Sequence, residues 1–267
     1  MLADSERQLA ASSEQLAAGA SAGRYWGLSQ ADITALTGVS RAVLFGEVSS
    51  TMDVAHDAAK NGAPSGTLVL AERQFSGRGR GGRQWISAPR AGIWLTLIER
   101  PRDGVPVELL SIRAGLALAP ALDRFARAPV ELKWPNDLFV QGRKLGGILL
   151  EARWRDARPE WVALGIGINL TPPGEISDAA GLREGVTAPE VLAAIVPALR
   201  RAAARRGPLS AAELDAFAQR DFAGGKRCSA PAAGIVRGIN DQGELLVEAD
   251  GMSSAHRSGS LVLEAGR

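Results

Sequence analysis

The chain has 267 residues, 46% of them hydrophobic, and a formal net charge of +2. That is enough apolar material for one large domain or two unequal ones, and too little charge for the whole surface to bind a polyanion. A single cysteine, Cys228, excludes an internal disulfide framework, and two histidines far apart in sequence give no metal-ligand spacing.

No apolar run reaches the length of a membrane span, and the polar N-terminus MLADSERQLAAS has no secretory pattern, so a cytoplasmic protein is expected. Residues 1–40 read as a short N-terminal extension, with a helix over SERQLAASSEQLAAG. The stretch ITALTGVSRAV (33–43) has only a superficial likeness to a helix-turn-helix. VLFGEV (43–48) predicts a strand, and TMDVAHDAAKN (51–61) a helix capped by Ser50 or Thr51 and closed by Gly62. TLVLAERQ (67–74) and GIWLTLIE (92–99) predict strands either side of a glycine-rich stretch. Leu109–Arg127 has the apolar spacing of a largely buried helix. Residues 130–134, 137–140, 146–154 and 161–170 read as strands, with a turn at Gln141-Gly142, and helices follow over 188–204 and 210–221. From residue 222 the texture changes to short strands joined by glycine turns at Asp241-Gln242-Gly243 and Asp250-Gly251, which suggests a small SH3-like barrel.

Four stretches carry chemistry. GRGRGGRQW (77–85) combines a permissive backbone with Arg78, Arg80 and Arg83, whose forked donors suit phosphate and carboxylate. Alone it fits a solvated nucleic-acid-binding tract as well as a ligand lid, but it lies between two apolar strands and ends in Trp85, which favours the lid. LKWPNDLFVQGRKLGGILLE (132–151) places Asn136, Asp137 and Lys144 around a hairpin whose mid-strand Gly146-Gly147 a simple hairpin leaves unexplained. LGIGINL (164–170) loses side-chain bulk inside a strand and ends on Asn169; a β-bulge is the alternative reading. In EVSSTMD (47–53), capping accounts for one hydroxyl, and contacts to a polar ligand account for the rest.

In this order the motifs EVSSTMD, GRGRGGRQW, KWPNDL, RKLGGILLE and GIGINL resemble the biotin–protein ligases, from about residue 43 to the end. The resemblance implies an α+β fold: a mixed sheet packed with helices, like class II aminoacyl-tRNA synthetases, over 41–221, and an SH3-like barrel over 222–267. It implies activation of biotin by ATP, with Mg²⁺, to biotinyl-5′-AMP and pyrophosphate. Transfer then goes to a lysine of the biotin carboxyl carrier domain of acetyl-CoA or pyruvate carboxylase. Ser50, Thr51, Gln74, Gly77, Arg78 and Gly147 fall to biotin. Arg80 and Lys144 serve its carboxylate and the α-phosphate. Arg83, Gln84, Trp85, Lys133, Asn136 and Asn169 fall to ATP. Asp137 is a candidate for orienting the acceptor amine, and no metal ligands are assigned. Met52 stands where many members have Asn, and Gly81 where some have Arg. Repressor members carry a winged helix of about 60 residues, so a ligase without specific DNA binding is expected, as monomer or homodimer, with no membrane partner. The rival readings are a lipoate ligase or octanoyl transferase, a nucleic-acid-binding protein, and a biotin sensor without ligase activity.

Overall fold

The computed structural model describes residues 23–264. The expected helix over SERQLAASSEQLAAG lies outside them.

A seven-stranded sheet organises the chain, in the order β3-β4-β5-β9-β8-β7-β6. β3 (Arg41–Val48) and β4 (Thr67–Gln74) are parallel, joined by the crossover helix α2 (Thr51–Lys60). Every other pair, through β5 (Gly92–Glu99), β9 (Arg158–Asn169), β8 (Arg143–Arg155), β7 (Asp137–Val140) and β6 (Glu131–Lys133), is antiparallel. Alternation along the strands decides which layer covers which face. Leu68, Leu70, Leu95, Leu97, Leu164 and Ile166 point into the main core with helices α3 (Leu110–Asp123) and α4 (Ala188–Ala203). Val69, Ala71 and Ile98 point the other way, to Val54, Ala55 and Ala59 of α2. That helix covers only part of its face, and the uncovered part carries the site.

Residues 24–37, which had looked like part of an extension, fold as a two-stranded ribbon, β1 (Arg24–Tyr25) and β2 (Leu28–Ser29), running into helix α1 (Gln30–Thr37). Ser29 and Asp32 cap α1 reciprocally. Tyr25 and Ile33 are fully buried in the main core, so the 33–43 stretch is a core-packed helix and the start of β3, not a groove-reading pair of helices.

Helix α3 stops at Asp123, four residues short of the sequence expectation, because the Asp123 carboxylate accepts the Val130 N–H at 2.8 Å and pairs with Arg220 at 2.7 Å. β8 and β9 begin earlier than expected and form one long hairpin, ending in an exposed Trp154. Helix α5 (Ala211–Ala218) leads to the C-terminal sheet, ordered β13-β12-β11-β10-β14. Its strands are β10 (Arg227–Ala230), β11 (Gly234–Ile239), β12 (Leu245–Ala249), β13 (Met252–His256) and β14 (Val262–Leu263). The end strands β13 and β14 do not pair, so this sheet is open, where strand spacing had suggested a small SH3-like barrel. Trp134 ties it to the larger sheet by donating its indole N–H to the Gly243 carbonyl at 3.0 Å.

Candidate active site: a glycine floor beneath a tryptophan and a lysine

Gly147 on β8 and Gly167 on β9 are cross-strand partners, and Trp94 on β5 flanks Gly167. With no side chains on these two, the sheet is recessed there, and the Trp85 indole fills the recess. A Cβ on Gly167 would stand 2.6 Å from the ring, and one on Gly147 3.2 Å. Trp85 meets Trp94 edge to face, with centroids 6.4 Å apart. Its buried indole N–H has no partner among the described residues. Two residues along β9, a Cβ on Gly165 would meet the Met52 methyl at 2.7 Å. Met52 therefore fills the space that Gly165 leaves, which gives this chain's departure at position 52 a packing role.

Lys144 reaches the same face through a β-bulge. Leu138 pairs with Gly146 and Phe139 with Lys144, leaving Leu145 as the extra residue. Lys144 and Gly147, three apart, would otherwise point to opposite faces; the bulge resets the alternation. The Lys144 ammonium lies 2.7 Å from Asp137 Oδ1 and 5.4 Å from the Trp85 ring centroid. Its backbone is clamped by residues 178–180: Lys144 N–H donates to the Asp178 carbonyl and Ala180 N–H to the Lys144 carbonyl, each at 2.8 Å. Asn169, nearly fully buried, donates from Nδ2 to the Ala180 carbonyl at 3.0 Å, so it braces the segment that holds Lys144.

The glycine-arginine stretch folds back on itself. Trp85 N–H donates to the Gly77 carbonyl and Gly79 N–H to the Arg83 carbonyl, both at 2.8 Å. Gly81 and Gly82 turn the tip with φ of 64° and 75°. Arg80 leaves the tip toward Asn136 Oδ1 at 3.1 Å and the Gly259 carbonyl at 3.4 Å, joining the loop to the KWPND turn and the C-terminal sheet. Asn136 is fixed by donating from Nδ2 to the Ile148 carbonyl at 2.7 Å. Arg83 and Gln84 are exposed. Between this loop and Leu149, Leu150 and Glu151 of β8 lies an open cavity of about 580 Å³, within the size range of small-ligand sites.

A polar cluster borders the loop where β3 and β4 end. Ser50 caps α2 by accepting the Met52 N–H. Gln74 Oε1 accepts from Thr51 N–H at 2.8 Å and Thr51 Oγ1 at 3.1 Å, and its Nε2 donates to Ser87 Oγ at 2.9 Å. Gly77 is obligatory here, since a Cβ would stand 2.4 Å from the Trp85 carbonyl. Thr96 and Ser87 complete the cluster and carry no motif that marks them in the sequence.

Lys133 lies opposite Asp137 in the β6–β7 pair, over Phe139, which stacks on Phe222. Burial pulls the Lys133 ammonium below its ordinary pKa, against the opposing pull of Asp137. Among the described residues no group of three or more His, Cys, Asp or Glu side chains is arranged to hold a metal ion. Cys228 is fully buried in β10, with its thiol donating to the Ala232 carbonyl, and burial pushes its pKa up.

The fold sets an open cavity between Arg78, Arg80 and Arg83 of the loop and Leu149, Leu150 and Glu151 of β8, with the Thr51–Gln74 cluster at the loop's entry. A family model for the biotin/lipoate A/B protein ligase family matches residues 44–169. The biotin–[acetyl-CoA-carboxylase] ligase of Mycobacterium tuberculosis is 35% identical over 257 residues, covering 88% of this chain and 90% of its own. The bifunctional ligase/repressor BirA of Bacillus spizizenii is 40% identical over 141 residues, covering 50% of this chain. The match spans less than half of that longer relative, 43%. The structure of the Aquifex aeolicus biotin protein ligase in complex with biotin and ATP shares the fold, with a TM-score of 0.67 and 24% identity over 84% of this chain and 99% of that one. The chain belongs to the biotin/lipoate A/B protein ligase family.

Proposed function

We propose that the protein is an ATP-dependent biotin–protein ligase. It joins biotin to AMP with release of pyrophosphate, then passes biotin to a lysine of the biotin carboxyl carrier domain of acetyl-CoA or pyruvate carboxylase. The observation that carries this is the convergence of Lys144, Asp137 and Trp85 on the glycine floor, beside the Arg80-bearing loop and the Thr51–Gln74 cluster. The named function of the Mycobacterium tuberculosis relative supports the choice of acid and acceptor.

Adenylation brings two anions together, and charge then grows on the phosphoryl oxygens, so the catalyst needs cations and orientation more than a nucleophile. Lys144 sits at the reacting centre. Arg80 and Arg83 reach in from the loop, with Gln84, Asn136 and Lys133 on the nucleotide side. Ser50, Thr51, Gln74 and the backbone at Gly77 and Arg78 present neutral donors and acceptors to the ureido ring, and Gly147 lets the Trp85 ring lie close over the sheet beside it. Trp85 closes the pocket, and Asn169 supports the nucleotide side through the segment it braces. Mg²⁺ bound with ATP would neutralise charge on the leaving pyrophosphate, and among the described residues no cluster is arranged to hold it without the nucleotide. In the second step Asp137, once Lys144 has turned to the phosphate, orients the incoming amine. We read 41–221 as the catalytic domain and the open C-terminal sheet as an SH3-like unit that reaches the site through Gly259.

Transfer of an acyl group through a cysteine thioester is disfavoured by the burial of Cys228. The test is pyrophosphate release from ATP with biotin, lipoate or octanoate offered separately. Release with biotin alone is expected; release with lipoate but not biotin would end the reading.

A further inference from the structure

Arg78 stands in the glycine-arginine stretch, yet its charge is already engaged. Its guanidinium donates to Asp53 Oδ1 at 2.7 Å and to Glu151 Oε1 at 2.6 Å. The two carboxylates come from separate rigid elements, the first turn of α2 and strand β8. Burial works against the charge, but Asp53 and Glu151 outweigh it and hold the guanidinium above its ordinary pKa.

The chain of bonds continues behind Glu151. Its second oxygen, Oε2, lies 3.0 Å from His56 Nε2, and His56 Nδ1 accepts the Trp161 indole N–H at 3.0 Å. An indole nitrogen only donates, so Nδ1 carries no proton and the neutral ring carries its proton on Nε2. That proton points at Glu151. Each bond therefore has its donor and acceptor: Trp161 donates to His56, His56 and Arg78 both donate to Glu151, and Arg78 also donates to Asp53. A pair at the surface is ordinarily worth little, because two long side chains must be held still. Here the holding is done by a ring packed on Trp161, which is itself part of the apolar layer under α2.

We propose that Trp161, His56 and Glu151 are positioning residues that fix Arg78, and that Arg78 anchors the entry of the glycine-arginine loop instead of binding an anion. Arg80 and Arg83 are left for anionic partners. The link to biotin rests on the ligase reading; the anchoring itself does not.

Two measurements separate them. The first needs no ligand: a trypsin time course on the free protein, following the bond after Arg78, with the bond after the exposed Arg257 as internal control. Trp161→Phe removes the N–H donor together with part of the ring, and Glu151→Gln keeps the shape without the charge. Each should raise cleavage after Arg78 roughly three- to tenfold, the size of one lost hydrogen bond, and leave Arg257 unchanged. Unchanged cleavage after Arg78 in both variants overturns the anchor. If Trp161→Phe fails to fold, Glu151→Gln decides alone.

The second measurement is steady-state pyrophosphate release. In each variant the KM for biotin should rise by a similar factor while kcat holds within roughly twofold, and the rise should vanish in an Arg78→Ala background. A biotin KM at the wild-type value overturns the link to the site. A rise of the same size without Arg78 overturns the relay. A wild-type chain that releases no pyrophosphate with biotin refutes the ligase reading, and the trypsin result still decides the anchor.

Discussion

Gly167→Ala puts a methyl group into the space that the Trp85 ring fills. The new Cβ would stand 2.6 Å from Cε2 and Nε1 of Trp85. Ordinary contact begins near 3.5 Å, so the ring must withdraw by about 1 Å. It is confined by Trp94 at its edge, and its backbone is tied to Gly77. Overpacking of this kind costs about 1–3 kcal/mol. Replacing glycine inside a strand returns about 0.5–1 kcal/mol of backbone entropy. The net is a loss of up to about 2.5 kcal/mol, or a Tm lowered by up to roughly 10 °C at about 2–4 °C per kcal/mol. The sign is the sharper test. In a Trp85→Ala background the clash is gone and the entropy gain remains, so Gly167→Ala should then raise Tm. Thermal unfolding followed by circular dichroism on the four proteins of this cycle decides it. Equal Tm changes with and without the indole would refute the placement of Trp85 on the glycine floor.

Gly165→Ala, two residues away, overlaps the end of Met52, with Leu149 at ordinary contact distance. The flexible Met52 side chain can move aside, so the change should stay within about 1 kcal/mol by urea unfolding. Lys144→Ala should lower adenylate formation by roughly 10²–10³-fold while biotin still binds measurably by calorimetry; near-normal turnover would remove Lys144 from the chemistry. Glu213 is held at about 2, below its ordinary 4.5: burial works to raise it, and hydrogen bonds from Ser210 and Arg113 outweigh that. A depressed carboxylate stabilises the fold fully above its unfolded value and loses the contribution as pH falls toward the folded one. Urea midpoints should therefore drop between about pH 5 and pH 2, and Glu213→Gln should flatten that part of the profile. Arg113, almost fully buried, bonds both Glu213 and the carbonyls of residues 205–208. Arg113→Ala should cost about 3–5 kcal/mol, since it removes the buried partner of Glu213, leaving only the exposed Arg205 and Ser210, and takes the donor from the carbonyls of residues 205–208.

Much of the sheet was legible because its strands are continuous apolar runs. β4, β5 and β7 fall on the residues that pattern and turn signals predict. β13, MSSAH, was not legible: it is a largely exposed strand with no alternation. The mid-strand glycines marked the site, but their reason was out of reach. It lies in the Gly147–Gly167 register and in a bulge at Leu145, neither of which a single sequence encodes locally. The same limit hid Asp53, His56, Glu151 and Trp161. They lie far apart in the chain, and only strand pairing and the placement of α2 bring them to Arg78.

The central claim is that this chain joins biotin to the α-phosphorus of ATP in one pocket. Native mass spectrometry of the protein after incubation with biotin, ATP and Mg²⁺ tests it most directly. A retained species with the mass of one biotinyl-5′-AMP per chain, formed only when both substrates are present, is the expected result. Protein that carries biotin or nucleotide separately, and never the adenylate, would contradict the claim.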